Sequence, residues 1–219
     1  VEQLRGLFKQ RGGVFRDLLD IQKELRKIPV IDLTLPTCVL VGAPNVGKSS
    51  IIRAISSGRP EVNNYPFTTR GMTVGHMRRG EDTHLEEVFQ LMDSPGLLDR
   101  PEEARNEMEG LTVASLASLP TAVMFVMDPT GLCGSQSSLD VQLAVRAYLR
   151  GRFPRRPWLD VVSKADLPME EGAEGRLPEG ALRVSAEGGE GMEELRERVL
   201  AMCDAVPESL RLWREDVEA

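Results

Sequence analysis

The chain contains no apolar run approaching the length needed to cross a bilayer, which argues against a membrane-spanning role. It also has no basic excess. Lys and Arg number 27 against 34 Asp and Glu, a formal net charge of −7, which argues against broad, sequence-independent nucleic-acid binding. One local cluster, Arg150, Arg152, Arg155 and Arg156, fits either a phosphate contact or a solvated loop. The three cysteines, Cys38, Cys133 and Cys203, form no CxxC pair and no metal-ligand cluster with His76 or His84. They are expected to be reduced thiols of an intracellular protein, with Cys38 and Cys203 packed in the core. No signal-peptide pattern follows Val1, which fits a fragment or a processed chain.

What is present suits an ordinary globular protein. Apolar residues make up 41% and charged residues 28% of 219, enough for one domain with a sizeable core and a short appendage. Val14, Leu18, Ile21, Leu25 and Ile28 recur at helical spacing and predict an amphipathic helix that ends before Pro29 and Pro36. Its apolar stripe would cover either the domain itself or a helical region beyond it.

Downstream, short apolar runs alternate with helical patterns. The expected strands are "TCVLV" from Thr37, segments near 72–77 and 87–92, "TAVMFVM" from Thr121, "WLDVV" from Trp158 and "ALRVS" from Ala181. Helices are expected from Lys48 and over 102–119, 138–149 and 192–205, with a Gly- and Glu-rich surface loop from Met169. This order predicts an α/β domain with a largely parallel sheet wrapped by helices, whose ligands sit at the carboxyl ends of the strands. The division is 1–36 as helical appendage and linker, 37–206 as the domain, and 207–219 as a tail that closes as a short helix or serves as a linker.

Gly42, Gly47, Lys48 and Ser49 fit G-x-x-x-x-G-K-[ST] between an apolar strand and a helix, the context a phosphate-binding loop requires. Glycines let backbone amides approach phosphate, Lys48 neutralises the β and γ groups, and Ser49 offers an oxygen to Mg²⁺. "MDSPG" sets Asp93 at a strand end three residues before Gly96: the carboxylate would hold Mg²⁺ through water and the amide would sense a γ-phosphate. "YPFTTR" supplies Thr68 and Thr69 on a segment able to lend the metal a hydroxyl in the triphosphate state. "VVSKADL" places Ser163, Lys164 and Asp166 after a strand in near-match to N-K-x-D, where the Asp accepts from the guanine N–H edge that adenine lacks. Ser163 replaces the Asn, whose amide would bridge base and phosphate loop, so guanine specificity with weaker binding is expected. "VSAEG" offers Ser185 and Ala186 for a backbone N–H facing guanine O6. Five segments in this order predict a GTPase of the Ras-like P-loop architecture.

The stretches "GAPNVGKSS", "NYPFTTRGMTVGH", "MDSPGLLDRPEEARN" and "VMDPTGLCG" resemble the Nog-type (nucleolar GTP-binding protein) family of the Obg and HflX-like GTPases. The resemblance implies that Asn45, Val46, Gly47, Lys48, Ser49 and Ser50 bind phosphate and that Ser49, Thr69 and Asp93 hold Mg²⁺. It further implies that Phe67 to Arg70 form the first switch, Asp93 to Gly96 the second, and Lys164 and Asp166 the guanine site. It implies a GTP-hydrolysing assembly factor acting on the precursor of the large ribosomal subunit, off the membrane and monomeric when free. Ser163 and the Tyr65-Pro66 spelling are more like plant-plastid members, which implies a chloroplast address, with the nucleolus as the alternative.

Where Ras-like enzymes carry a water-orienting Gln after D-x-x-G, this chain has Leu97, so slow intrinsic hydrolysis is expected. The catalytic candidates are Lys48, Thr69 and Asn45. Related GTPases use an Asn at the place of Asn45 to hold K⁺ beside the phosphates; loop shaping is the competing role. Arg70 and Arg100 flank the switches and are expected at the surface. Three uses remain open: a timer, a nucleotide-stabilised scaffold with little turnover, and a signalling GTPase unrelated to ribosomes.

Overall fold

In the computed structural model, residues 32, 35–57, 61–63, 72–80, 87–101, 104–119 and 121–206 are described. The expected helix over Val14 to Ile28, the segment Phe67 to Arg70 and the tail from 207 lie outside them. Seven strands form one sheet: β1 (Thr37–Val41), β2 (Glu61–Asn63), β3 (Met72–Arg79), β4 (Glu87–Asp93), β5 (Thr121–Met127), β6 (Trp158–Val162) and β7 (Leu182–Arg183). Their spatial order is β2-β3-β4-β1-β5-β6-β7. From β4 to β7 neighbours run parallel, whereas β2–β3 and β3–β4 are antiparallel. The α/β expectation holds, with an antiparallel wing on the parallel body.

Helices cover both faces, so the central strands β1 and β5 are buried along their whole length and read as continuous apolar runs. Alternation still sorts their side chains. Cys38 and Leu40 of β1 join Ala122, Met124 and Val126 of β5 on one face, under α1 (Lys48–Ile55) and α4 (Met192–Asp204). Val39 and Val41 join Val123, Phe125 and Met127 on the other, under α2 (Glu107–Ser118) and α3 (Leu139–Arg152). Cys38 and Cys203 are fully buried free thiols of the first cluster, as expected, and burial pushes both thiols up.

The structure corrects several bounds. Helix α2 starts at Glu107, five residues later than expected, because Asn106 caps it. The Asn106 side chain accepts from the Glu109 amide (2.9 Å) and Glu109 Oε2 accepts from the Asn106 amide (3.0 Å), a reciprocal capping box. Helix α3 runs on to Arg152, and β7 keeps only two residues of "ALRVS". Three-residue β2 was not anticipated. In the basic cluster, Arg156 donates to the Leu116 and Thr121 carbonyls and Arg150 lies over the Trp158 ring, so these two serve the fold. No helix among the described residues is long and apolar enough to cross a membrane.

Candidate functional site

The chain leaves β1 through a turn that only small residues permit. Gly42 has φ +150, and a Cβ there would lie 2.3 Å from the Val126 carbonyl oxygen. Asn45 and Gly47 follow in left-handed conformation, φ +64 and +94. The N-terminus of α1 carries no side-chain cap, which leaves its first amides for an anion. Asn45, Lys48, Ser49, Arg53, Asp93 and Gly96 share a cavity of about 500 Å³ at this end of the sheet.

Lys48 is buried, and its Nζ donates to the carbonyls of Gly42 (3.1 Å) and Ala43 (2.8 Å). Burial lowers its pKa from the ordinary 10.5 to about 8, with the nearby Asp93 charge acting against the shift. Asp93, at the end of β4, accepts from the Ser49 hydroxyl through Oδ2. Its Oδ1 is buried and has no hydrogen-bond partner. Burial raises the Asp93 carboxyl, against the pull of the Ser49 hydrogen bond and of Lys48 and Arg53. A buried carboxylate with one oxygen unmatched, next to a serine hydroxyl, is a set of hard oxygen donors that fits Mg²⁺.

Gly96 sits against the phosphate loop so closely that a Cβ would fall 2.6 Å from Pro44. The next amide, Leu97 N–H, donates to the Gly42 carbonyl (3.0 Å), and the Leu97 side chain is buried with Val39, Met92 and Phe125. Leu97 therefore takes no part in lining the cavity. Arg100 faces Glu109 at 3.6 Å and is partly exposed, in keeping with a surface position.

A second group stands at the ends of β5, β6 and β7. The Ser163 hydroxyl contacts the carbonyls of Val46 (2.6 Å) and Met127 (3.0 Å), so it ties the end of β6 to the phosphate loop. Asp166 is exposed at the loop after β6. Ser185 is fully buried and accepts from the Gly188 amide (2.8 Å), with Ala186 half-buried beside it. Lys164 adopts φ +55, and its Nζ lies 2.5 Å from Asp128 Oδ2. Asp128 and the residues that hold it were missed, though a carboxylate ending an apolar strand before Pro-Thr-Gly was a readable signal. Phe67, Thr68 and Thr69 fall outside the described residues, so Val46, Ser50 and the other predicted residues are brought together without them.

A family model described as "50S ribosome-binding GTPase" matches residues 37–164. Nucleolar GTP-binding protein 1 of Caenorhabditis elegans is 36% identical over 173 residues, covering 76% of this chain and 24% of its own. The Arabidopsis thaliana protein of that name is 36% identical over 154 residues, covering 70% and 22%. This chain thus spans about a quarter of the length of these relatives. A Plasmodium falciparum crystal structure described as nucleolar GTP-binding protein 1 superposes with TM-score 0.64 at 25% identity, over 87% of this chain and 97% of that one. The G domain of the T. maritima FeoB iron transporter shares the fold, with TM-score 0.55 at 21% identity over 76% and 97%. The chain belongs to the 50S ribosome-binding GTPase family and is similar, within it, to nucleolar GTP-binding protein 1.

Proposed function

We propose that the chain binds GTP with Mg²⁺, hydrolyses it slowly to GDP and phosphate, and uses the two states as a timer on the precursor of the large ribosomal subunit. The observation that carries this is the unmatched Asp93 Oδ1 beside Ser49 and Lys48, a half-built metal and triphosphate site that a purely structural turn has no use for. Lys48 and the first amides of α1 take the phosphates, and Ser49 and Asp93 take the metal, with Thr69 as the third metal ligand. Bound Mg²⁺ would neutralise charge on the phosphates. Gly96, wedged against Pro44, offers its amide to the γ-phosphate. Lys164, Asp166 and the Ser185–Ala186 turn receive guanine. Asn45, exposed in left-handed conformation on the cavity rim, would hold K⁺.

At the position where Ras-like enzymes carry a water-orienting Gln, directly after Gly96, stands buried Leu97, which supports slow turnover. The same observation favours the second reading, a scaffold that keeps its nucleotide. Residues 37–206 would act as the GTPase unit, with 1–36 and 207–219 as appendages, monomeric when free. The family description and the names of the relatives support the ribosomal partner. A plastid address rests on Ser163 and Tyr65-Pro66 alone; the relatives are named for the nucleolus.

Phosphate release from GTP tests the enzyme. Turnover in K⁺ with Mg²⁺, slower in Na⁺ and abolished by EDTA, is expected. No release above background would leave the scaffold, and equal rates in K⁺ and Na⁺ would remove the role of Asn45.

A further inference from the structure

Beyond the phosphate loop, the most fully connected polar cluster among the described residues surrounds Asp128, at the end of β5. Its side chain is wholly buried. Oδ1 accepts from the Thr130 amide (2.8 Å) and the Thr130 hydroxyl (2.6 Å); Oδ2 accepts from the Cys133 thiol (2.9 Å) and faces Lys164 Nζ (2.5 Å). The main chain of Asp128 is braced as well. Buried Gln142 of α3 accepts from the Asp128 amide (2.8 Å) and donates to its carbonyl (2.9 Å) and to that of Ser137 (2.7 Å).

Both carboxylate oxygens are thus occupied, and the group has no freedom to turn away from Lys164. Burial alone would raise the Asp128 carboxyl, but the Cys133, Lys164 and Thr130 hydrogen bonds together hold it below its ordinary value, so it stays charged. Lys164, partly exposed and in a backbone conformation that side chains disfavour, is the one member that reaches the base side. Its neighbour Ser163 is tied to Val46 of the phosphate loop. An untethered Lys164 would have to be ordered, and its charge redirected, each time a base bound; a tethered one is ordered beforehand.

We propose that Asp128, set by Thr130, Cys133 and Gln142, is a positioning residue that acts through Lys164 to slow the departure of guanine nucleotide. The proposal rests on the reading of Lys164 as part of the guanine site. Cys133 serves as a hydrogen-bond donor rather than as a nucleophile. Its thiol is pushed up to about 12, first by burial and then by Asp128.

Dissociation of a fluorescent GDP from the whole chain with Mg²⁺, followed by stopped flow, tests it in Asp128→Asn, Lys164→Met and the double variant. Asp128→Asn turns an amide donor toward Lys164 and should speed release at least about tenfold, since a charge-assisted bond is lost. Lys164→Met should do likewise, and the double variant should be no faster than the faster single, because Asp128 acts only through Lys164. Rates that multiply in the double variant, or an Asp128→Asn rate within about twofold of the parent, would overturn the proposal. If Asp128→Asn does not fold, Thr130 decides: Thr130→Val should speed release several-fold and Thr130→Ser, which keeps the hydroxyl, should not. Equal rates for those two would overturn it. Failure of the parent chain to hold GDP in preference to ADP would strike the guanine reading itself, and the clamp with it; preference retained with release unchanged in Asp128→Asn would strike the clamp alone.

Discussion

The lowered pKa of Lys48 has a direction that can be tested. Burial lowers Lys48 to about 8 in the folded chain, against the ordinary 10.5. Between those values the unfolded state binds more protons, so stability of the fold rises with pH through that window, and the penalty is fully present below about 8. Phosphate restores the charged form, so GDP binding at pH 9 should take up about 0.9 proton, read from calorimetry in buffers of different ionisation enthalpy. No buffer dependence at pH 9 would refute it. For the metal pair, EDTA should accelerate GDP release from the parent chain, and Asp93→Ala should abolish that acceleration. Ser163→Ala strips Val46 and Met127 of a shared donor and should weaken GDP binding by about 1–2 kcal/mol in a titration. The contact of Ser163 with the phosphate loop was not legible in sequence, because its partner Val46 lies 117 residues away. The phosphate loop was legible, because its residue types are fixed by the chemistry at fixed spacing. The exposure of Asp166 could not be read from the sequence, because exposure at a loop depends on what covers it.

Among the elements, α2 couples its own start to the second switch. Glu109 is almost wholly buried: Oε2 closes the capping box, and Oε1 accepts from the Leu98 amide (3.0 Å), one residue beyond Leu97. Asn106→Ala should cost about 1 kcal/mol in denaturant unfolding, the usual loss for such a cap. Glu109→Ala leaves two amides without their acceptor and should cost more, about 2 kcal/mol, by the same measurement. Equal costs would mean that the Leu98 bond contributes nothing. The strands β1 and β5 were readable because helices on both faces demand unbroken apolar runs there. The start of α2 was misjudged because charged 102–106 reads as helical, while the Asn106–Glu109 box overrides that propensity. Strand β2 has three residues, too few to show a period, and β7 has two.

The whole molecule gathers two loop systems at one end of the sheet: the residues proposed for metal and phosphate after β1 and β4, and those proposed for the base after β5, β6 and β7. Ser163 joins the two, and Gly96 and Leu97 tie the loop after β4 to the loop after β1, so the site proposed for nucleotide lies where these loops meet. A timer requires that the partner distinguish the two nucleotide states; a scaffold does not. Sedimentation of the tagged full-length protein from cell extract, with GDP and with a non-hydrolysable GTP analogue, tests this most directly. The account predicts co-migration with a large-subunit precursor in the analogue and its loss in GDP. Equal co-migration in both would contradict the timer and leave the scaffold, and free migration in both would contradict the ribosomal assignment.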